Sequence, residues 1–170
     1  MGRASIKENK TQFQLAREEL GLSREKAGAL LGWISPDRIE KIENEKSMPH
    51  PDEVLAMAKA YKSPGLCNHY CANLCSIGQT YVPEVKVKDL SQIVLEILAS
   101  LNALRRKQER LIEITADGVI GGEEIDDFVY IQEELERISI TVETLQLWAE
   151  HMLANGGIDI DAYNACKNKK

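Results

Sequence analysis

"ISPDRIEKIENEKSMPHPDEVLAMAKAY", Ile34–Tyr61, contains the start signals of two helices and the turn between them. Ser35 followed by Pro36 marks a helix beginning. The serine side chain can accept an orphaned N–H, and proline at the first helical position gives up no hydrogen bond. Ile39 and Ile42 give this helix a buried side. After the turn ENEKSMPHP comes another helix, with Val54, Leu55, Met57 and Ala58 at helical spacing. The functional question is whether the helix from Ser35 reads DNA or is an ordinary surface helix.

Upstream, TQFQLAREEL ends at Gly21, well placed as a left-handed cap, and Ser23 then caps REKAGALL, which Gly32 closes. Residues 11–62 therefore read as a set of four to five short helices punctuated by turns. Downstream, residues 63–88 hold SPG, the cysteines Cys67, Cys71 and Cys75, and QTYVPEVKVK. In that last stretch Val82, Val85 and Val87 alternate with polar residues around Pro83, which predicts an extended linker.

From Asp89 the pattern becomes regular. Leu90, Val94, Ile97, Leu101, Leu104 and Leu111 form one apolar stripe, and Phe128, Ile131, Leu135, Ile138, Val142, Leu145, Ala149 and Met152 a second. Each has the spacing of a coiled-coil seam, and the glycine-rich TADGVIGGEE between them must turn the chain. The expected product is a long antiparallel helical hairpin. Ile93, Leu98, Ile112, Val129, Ile140, Leu147 and Trp148 lie off those stripes and need a partner. Two hairpins pairing into a dimeric four-helix bundle would supply it, as would folding of the hairpin onto the N-terminal domain. The fold class is all-α. The expected domains are residues 1–62, a cysteine-containing segment and linker at 63–88, the hairpin and dimerisation domain at 89–155, and a tail at 156–170.

The chain has 170 residues, a formal net charge of −6 and 44% apolar residues, enough for a core. The acidity belongs to the part from Ser63 on; residues up to Lys62 are close to neutral, and phosphates are met by local cations rather than by the sum over the chain. No apolar run reaches the roughly 18 to 20 residues of a membrane helix. MGRASIKENK lacks a signal-peptide core, so a cytoplasmic protein with no membrane partner is expected.

With four helices placed, residues 11–62 resemble the Cro/phage-repressor, or Xre-like, helix-turn-helix family. The resemblance rests on "LAREELGLS", "LLGWISPDRIEKIEN" and "PHPDEVLAMAKAY" in this order and spacing. It implies that the third helix enters the major groove while the second lies across the phosphate backbone. Carried over, Pro36, Asp37, Glu40 and Lys41 face base edges, and Arg24, Asn44 and Lys46 hold phosphates. Lys41 would reach a guanine, and Glu40 or Asp37 would accept from a cytosine amino group. Ser35 and Arg38 complete the implied DNA-binding set. Gly28 is expected where the second and third helices cross, over a small core of Ala27, Leu31, Ile39, Ile42, Leu55 and Ala58. Two departures stand out: Trp33 and Ile34 occupy a turn where the family has one residue, and Glu45 replaces a common glycine. A residue at that turn, with Asn44 the candidate, must then adopt a left-handed backbone.

CNHYCANLC places Cys67, Cys71 and Cys75 four residues apart. On one unbroken helix the outer two would lie about 12 Å apart along the axis, since the rise is about 1.5 Å per residue, too far for one zinc. A zinc or iron–sulfur site therefore needs a broken helix, or two of these cysteines with His69, His50 or Cys166; the plain alternative is small side chains buried against the bundle. EITADGVIGGEE imitates part of a calcium loop, with Glu113, Thr115, Asp117, Gly118, Ile120 and Glu124 on its first, third, fifth, sixth, eighth and twelfth positions, but the first wants aspartate and the third normally offers a carboxylate, and both depart here. His50, His69 and His151 are scattered and no catalytic set appears, so no enzyme is expected.

The sequence thus points to a dimeric, DNA-binding transcriptional regulator, expected to be a repressor with double-stranded DNA as partner and no required cofactor. The readings beside it are a helix-turn-helix module for protein contacts, and a redox- or metal-responsive regulator using the cysteine triplet.

Overall fold

The computed structural model describes residues 9–116 and 118–169, and every regular element among them is a helix. In chain order these are α1 (Gln12–Glu19), α2 (Arg24–Leu31), α3 (Pro36–Glu43), α4 (Pro51–Ala60), α5 (Gly65–Asn73), α6 (Gly78–Tyr81), α7 (Leu90–Arg106), α8 (Gln108–Ile114), α9 (Ile125–Ala154) and α10 (Ile160–Lys167). Residues 1–8 of the first expected domain, Asp117 of the calcium-like loop and Lys170 of the tail lie outside the described residues. The chain divides into two compact units, one of Met1–Val85 with Ala149–Lys170, the other of Lys86–Trp148.

In the first unit, local chemistry places each short helix. Thr11, Ser23 and Ser35 cap α1, α2 and α3, each accepting a backbone N–H three residues on, from Gln14, Lys26 and Arg38. Pro36 and Pro51 open α3 and α4 without costing a hydrogen bond. Gly21 and Gly32, at φ of 64° and 77°, end α1 and α2. Phe13, Ala27, Ile34, Ile39, Val54, Met57, Tyr61 and Leu66 are among the residues of one buried cluster. Leu66 brings α5 into that core, so part of segment 63–88 packs on the helix-turn-helix helices. Asn68 then pins the chain beyond α6, donating to Pro83 O at 3.0 Å and accepting from Val85 N at 2.9 Å.

Two sequence expectations need correcting here. Leu55, expected in the core, is 60% exposed, while its neighbours Val54 and Met57 are buried. Each helical step rotates the side chain by about 100°, so the inward arc of α4 passes through positions 54, 57, 58 and 61 and misses 55. The left-handed residue after α3 is Glu45 itself, at φ 57°, whereas Asn44 stays at φ −98°. Glu45 N donates to Ile42 O at 3.0 Å and Lys46 N to Lys41 O at 2.9 Å, the closing bonds that normally recruit glycine. Glu45→Gly is therefore expected to raise stability by about 0.5–1 kcal/mol, because the Cβ strain of the left-handed region exceeds the added chain entropy. A rise of several degrees in thermal midpoint would be the readout, and no change would show the turn to be unstrained.

In the second unit, α7 and α8 form one arm, interrupted at Lys107, and α9 begins the other. Lys107 and Arg110 both pair with Asp127 at 2.8 Å, and the Lys107 ammonium lies 5.7 Å from the Tyr130 ring centre. These contacts tie the end of one arm to the start of the other, as a hairpin requires. The expected seam is displaced. Leu90, Val94, Leu101, Phe128, Leu135 and Val142 are exposed, while Ile93, Ser100 and Ala103, and Ile131, Thr141, Thr144 and Leu147, are buried. Of the seam residues expected from the spacing, Ile131 is the one that is fully inside. The inward arc lies a fraction of a turn from the heptad stripe and mixes Ile93, Ile131 and Leu147 with the smaller Ser100, Ala103, Thr141 and Thr144.

Candidate nucleic-acid interface

The short helix α3 is held by its inner side through charge as well as apolar contact. Ile39 and Ile42 are buried, and Glu43, one step round the same side, is fully inside. Arg17 of α1 grips its carboxylate with two bonds, Nε to Oε1 at 2.6 Å and Nη2 to Oε2 at 2.8 Å, and Arg24 Nε donates to Oε2 at 2.9 Å. The hydrogen bond to Glu43 holds the Arg17 guanidinium above its ordinary range, against the opposing effect of burial. A buried carboxylate satisfied by three charge-assisted bonds fixes the azimuth of α3, because any rotation would strand it.

A second clamp holds the start of α3. Arg38 donates to Glu53 on α4 through Nε at 2.7 Å and Nη2 at 2.6 Å, to Ser47 Oγ at 2.6 Å and to Met48 O at 2.8 Å. Glu53 in turn accepts from the backbone N–H of His50 at 2.7 Å, closing the cap of α4. The Arg38 hydrogen bond, chiefly, holds the Glu53 carboxyl below its ordinary value of about 4.5. A depressed folded-state value adds stability above the unfolded value and loses it as pH falls through the folded one. The helix-turn-helix unit is therefore expected to lose stability as pH drops below about 4.5, and Glu53→Gln to flatten that slope. Denaturant melts at stepped pH check this, and an unchanged acid slope in the variant would sink it.

Gly28 sits at the crossing of α2 and α3: a Cβ there would come within 3.0 Å of Pro36 Cδ and 3.3 Å of the Ile34 carbonyl oxygen. The additional turn residue is accommodated by splitting roles. Ile34 is buried, and Trp33 is turned outward at 62% exposure.

The site residues expected from the sequence fall into three groups. Asp37 and Lys41 are exposed on α3, and Lys46 just after it; none makes a side-chain bond among the described residues. Glu40 is exposed as well, lies 3.9 Å from Arg24 Nη1 and accepts from Asn44 Nδ2 at 3.4 Å. The other polar residues are occupied within the domain: Ser35 as a cap, Arg24 on Glu43, and Arg38 on Glu53, where it braces α3 against α4. Pro36 is half-buried against Gly28. Sequence reasoning overlooked Arg17, Glu43 and Glu53. The available signal was Glu43 on the Ile39/Ile42 side of α3, where a charge needs a buried partner.

The cysteines follow different geometry. Cys67 and Cys71 lie one turn apart on the continuous helix α5, and Cys75 follows after its end at Asn73. Burial, then Cys71 and Glu150, pushes the Cys67 thiol up, which disfavours its thiolate. Gly78 packs directly on the backbone of Cys71, where a Cβ would overlap the carbonyl. Among the described residues no three His, Cys, Asp or Glu side chains come together as a metal site. In the calcium-like loop, Thr115 donates to Leu111 O at 2.8 Å and Glu124 accepts from Gly121 N at 2.9 Å. No helix among the described residues is long and apolar enough to cross a membrane.

A family model described as helix-turn-helix matches residues 13–65, about a third of the chain. No curated protein and no solved structure matches the sequence. The matched span runs from α1 through the turn after α4, taking in both arginine–glutamate clamps and the exposed face of α3. Residues 13–65 therefore match a helix-turn-helix domain of the Cro/phage-repressor, Xre-like type, the type that the sequence resembles, and longer helices follow it.

Proposed function

We propose that this protein is a sequence-specific transcriptional regulator, acting as a repressor, whose helix α3 enters the major groove of double-stranded DNA. The observation that carries the reading is the two-sidedness of α3 within a matched helix-turn-helix domain. Its inner side is clamped by Arg17–Glu43 and Arg38–Glu53, while Asp37 and Lys41 are exposed and make no side-chain bond among the described residues. A rigid helix presenting uncommitted donors and acceptors is what direct readout of base edges needs.

Lys41 is the candidate for a guanine, and Glu40 and Asp37 for a cytosine amino group. Lys46 supplies phosphate affinity, with Arg24 available once it exchanges Glu40 for a phosphate oxygen. The acidic members of this face lower non-specific attraction and shift the balance toward base recognition. The protein works as a homodimer, placing two α3 helices in successive major-groove turns about 34 Å apart. The reading places it with DNA in the cytoplasm, assigns it no catalysis and requires no cofactor.

Selection of binding sites from a random DNA pool by the purified protein tests this. A two-fold symmetric site with half-sites one turn apart is the expected result. If nothing is enriched even at low salt, α3 is a surface for protein contacts and the regulator reading fails.

A further inference from the structure

A cavity of about 320 Å³ opens in the first unit where the start of α1, the turn after α3 and the helix α5 meet. That volume is at the low end of the roughly 300–1,000 Å³ that hold small ligands. Its apolar lining comes from Ile42 and Pro49, both buried, from the half-buried Leu74, and from Met48, a flexible side chain left 57% exposed. Its ionic groups are unequally committed. Lys10 Nζ is 2.7 Å from the Glu18 carboxylate, and His69 Nδ1 lies 3.9 Å from Glu84 and 3.3 Å from Asn73 Nδ2. Each of these two already has a carboxylate beside it. Glu45, which is exposed, makes neither an ion pair nor a side-chain hydrogen bond among the described residues. Its backbone makes the free carboxylate informative. Glu45 holds φ 57°, a conformation that glycine adopts without strain. A side chain carried there at a cost to stability, in the lining of a cavity, points to a use for that side chain.

We infer that this cavity binds a small organic cation, a primary amine on a compact apolar body, with Glu45 as its counter-ion. Charge selects this class. An anionic ligand would meet the Glu45 carboxylate while both cationic side chains of the lining are already matched, and a neutral one would leave that carboxylate without a partner. The apolar body has Ile42, Met48 and Leu74 to cover it, and the ammonium has an acceptor at the rim. The occupant lies against the turn that ends α3. Glu45 N donates to Ile42 O at 3.0 Å, and Lys46, the next residue, follows directly. A ligand that draws the Glu45 side chain inward therefore acts on the end of α3 and on the lysine assigned to phosphate. That regulatory use rests on the reading of α3 as a DNA-binding helix; the site itself does not.

Titration of the full chain with benzylamine, followed by backbone amide NMR, tests the site, with benzyl alcohol and benzoate as neutral and anionic controls of similar shape. Saturable shifts are expected at Glu45, Ser47 and His69, with a dissociation constant on the order of 1 mM for so small a probe. Benzyl alcohol should bind roughly 10-fold more weakly and benzoate not measurably, since neither forms the charge-assisted bond. Glu45→Gln should bring benzylamine down to the affinity of benzyl alcohol and leave the alcohol unchanged. Its thermal midpoint should match the parent, because glutamine meets the same backbone strain. Met48→Ala should weaken amine and alcohol alike. No saturable shift, shifts confined to another surface, equal affinity for the three probes, or a Glu45→Gln variant that holds benzylamine as the parent does would each overturn the inference. At a selected DNA site, saturating benzylamine should change affinity by about fivefold or more. An unchanged affinity would overturn the regulatory use and leave the site. A protein that binds benzylamine at Glu45 but selects no DNA would remove the regulator reading and keep the site; one that selects DNA and binds no benzylamine would do the reverse.

Discussion

Glu43→Ala is expected to cost about 3–5 kcal/mol, the scale for breaking a buried ion pair by removing one partner. A domain of this size has only about 5–15 kcal/mol in total, so the variant should sit near the edge of folding. The reason is asymmetric. The carboxylate is fully buried and accepts from Arg17 at 2.6 and 2.8 Å; Arg24, at 2.9 Å, is partly exposed and can turn to water. Arg17, 6% exposed, would be left inside with only Glu18, 3.7 Å away and itself partly exposed, as a counter-charge. Removing both charges together, as in Arg17→Met with Glu43→Leu, should lose less than Glu43→Ala alone, because no stranded ion remains. Urea denaturation of the three proteins decides it. A cost below about 1 kcal/mol for Glu43→Ala, the range of an exposed pair, would show that the clamp does not hold α3.

Lys41→Glu is the second large effect, and it falls on binding rather than folding. At the selected site, affinity should drop by about 100-fold or more, combining the loss of a base-edge contact with a new repulsion from phosphate and acceptor groups. Lys59→Glu, on the exposed side of α4, is the matched control because it changes the net charge equally. It should cost only a small factor. Equal losses in the two variants would mean that the overall field, not a contact from α3, drives binding. Thermal midpoints of both variants should match the parent, since Lys41 makes no side-chain bond among the described residues.

The four helices of the N-terminal domain were legible because their signals are local. Thr11, Ser23 and Ser35 act on a backbone N–H three residues away, and Gly21 and Gly32 terminate the helix they follow. Such contacts form in any tertiary setting, so spacing alone identifies them. The exposed face of α3, with Asp37, Glu40 and Lys41, was accessible by the same logic once Ile39 and Ile42 marked the inner side. Arg38 shows its limit. A cation beside that surface reads as a DNA ligand, and only its position within reach of Glu53, Ser47 and Met48 makes it a brace.

The sequence by itself determined where helices start and stop, which of them compose the helix-turn-helix, and that the later helices carry more apolar surface than one hairpin buries. Tertiary structure alone decided which arc of each long helix turns inward and which long-range partners hold α3. An apolar band wider than one seam offers several registers of nearly equal local energy, and the choice falls to side-chain volumes on the opposing arm. The partnership of Arg17 with Glu43 spans 26 residues. No local preference encodes it, because its energy exists only after burial has removed the water that would otherwise solvate both charges.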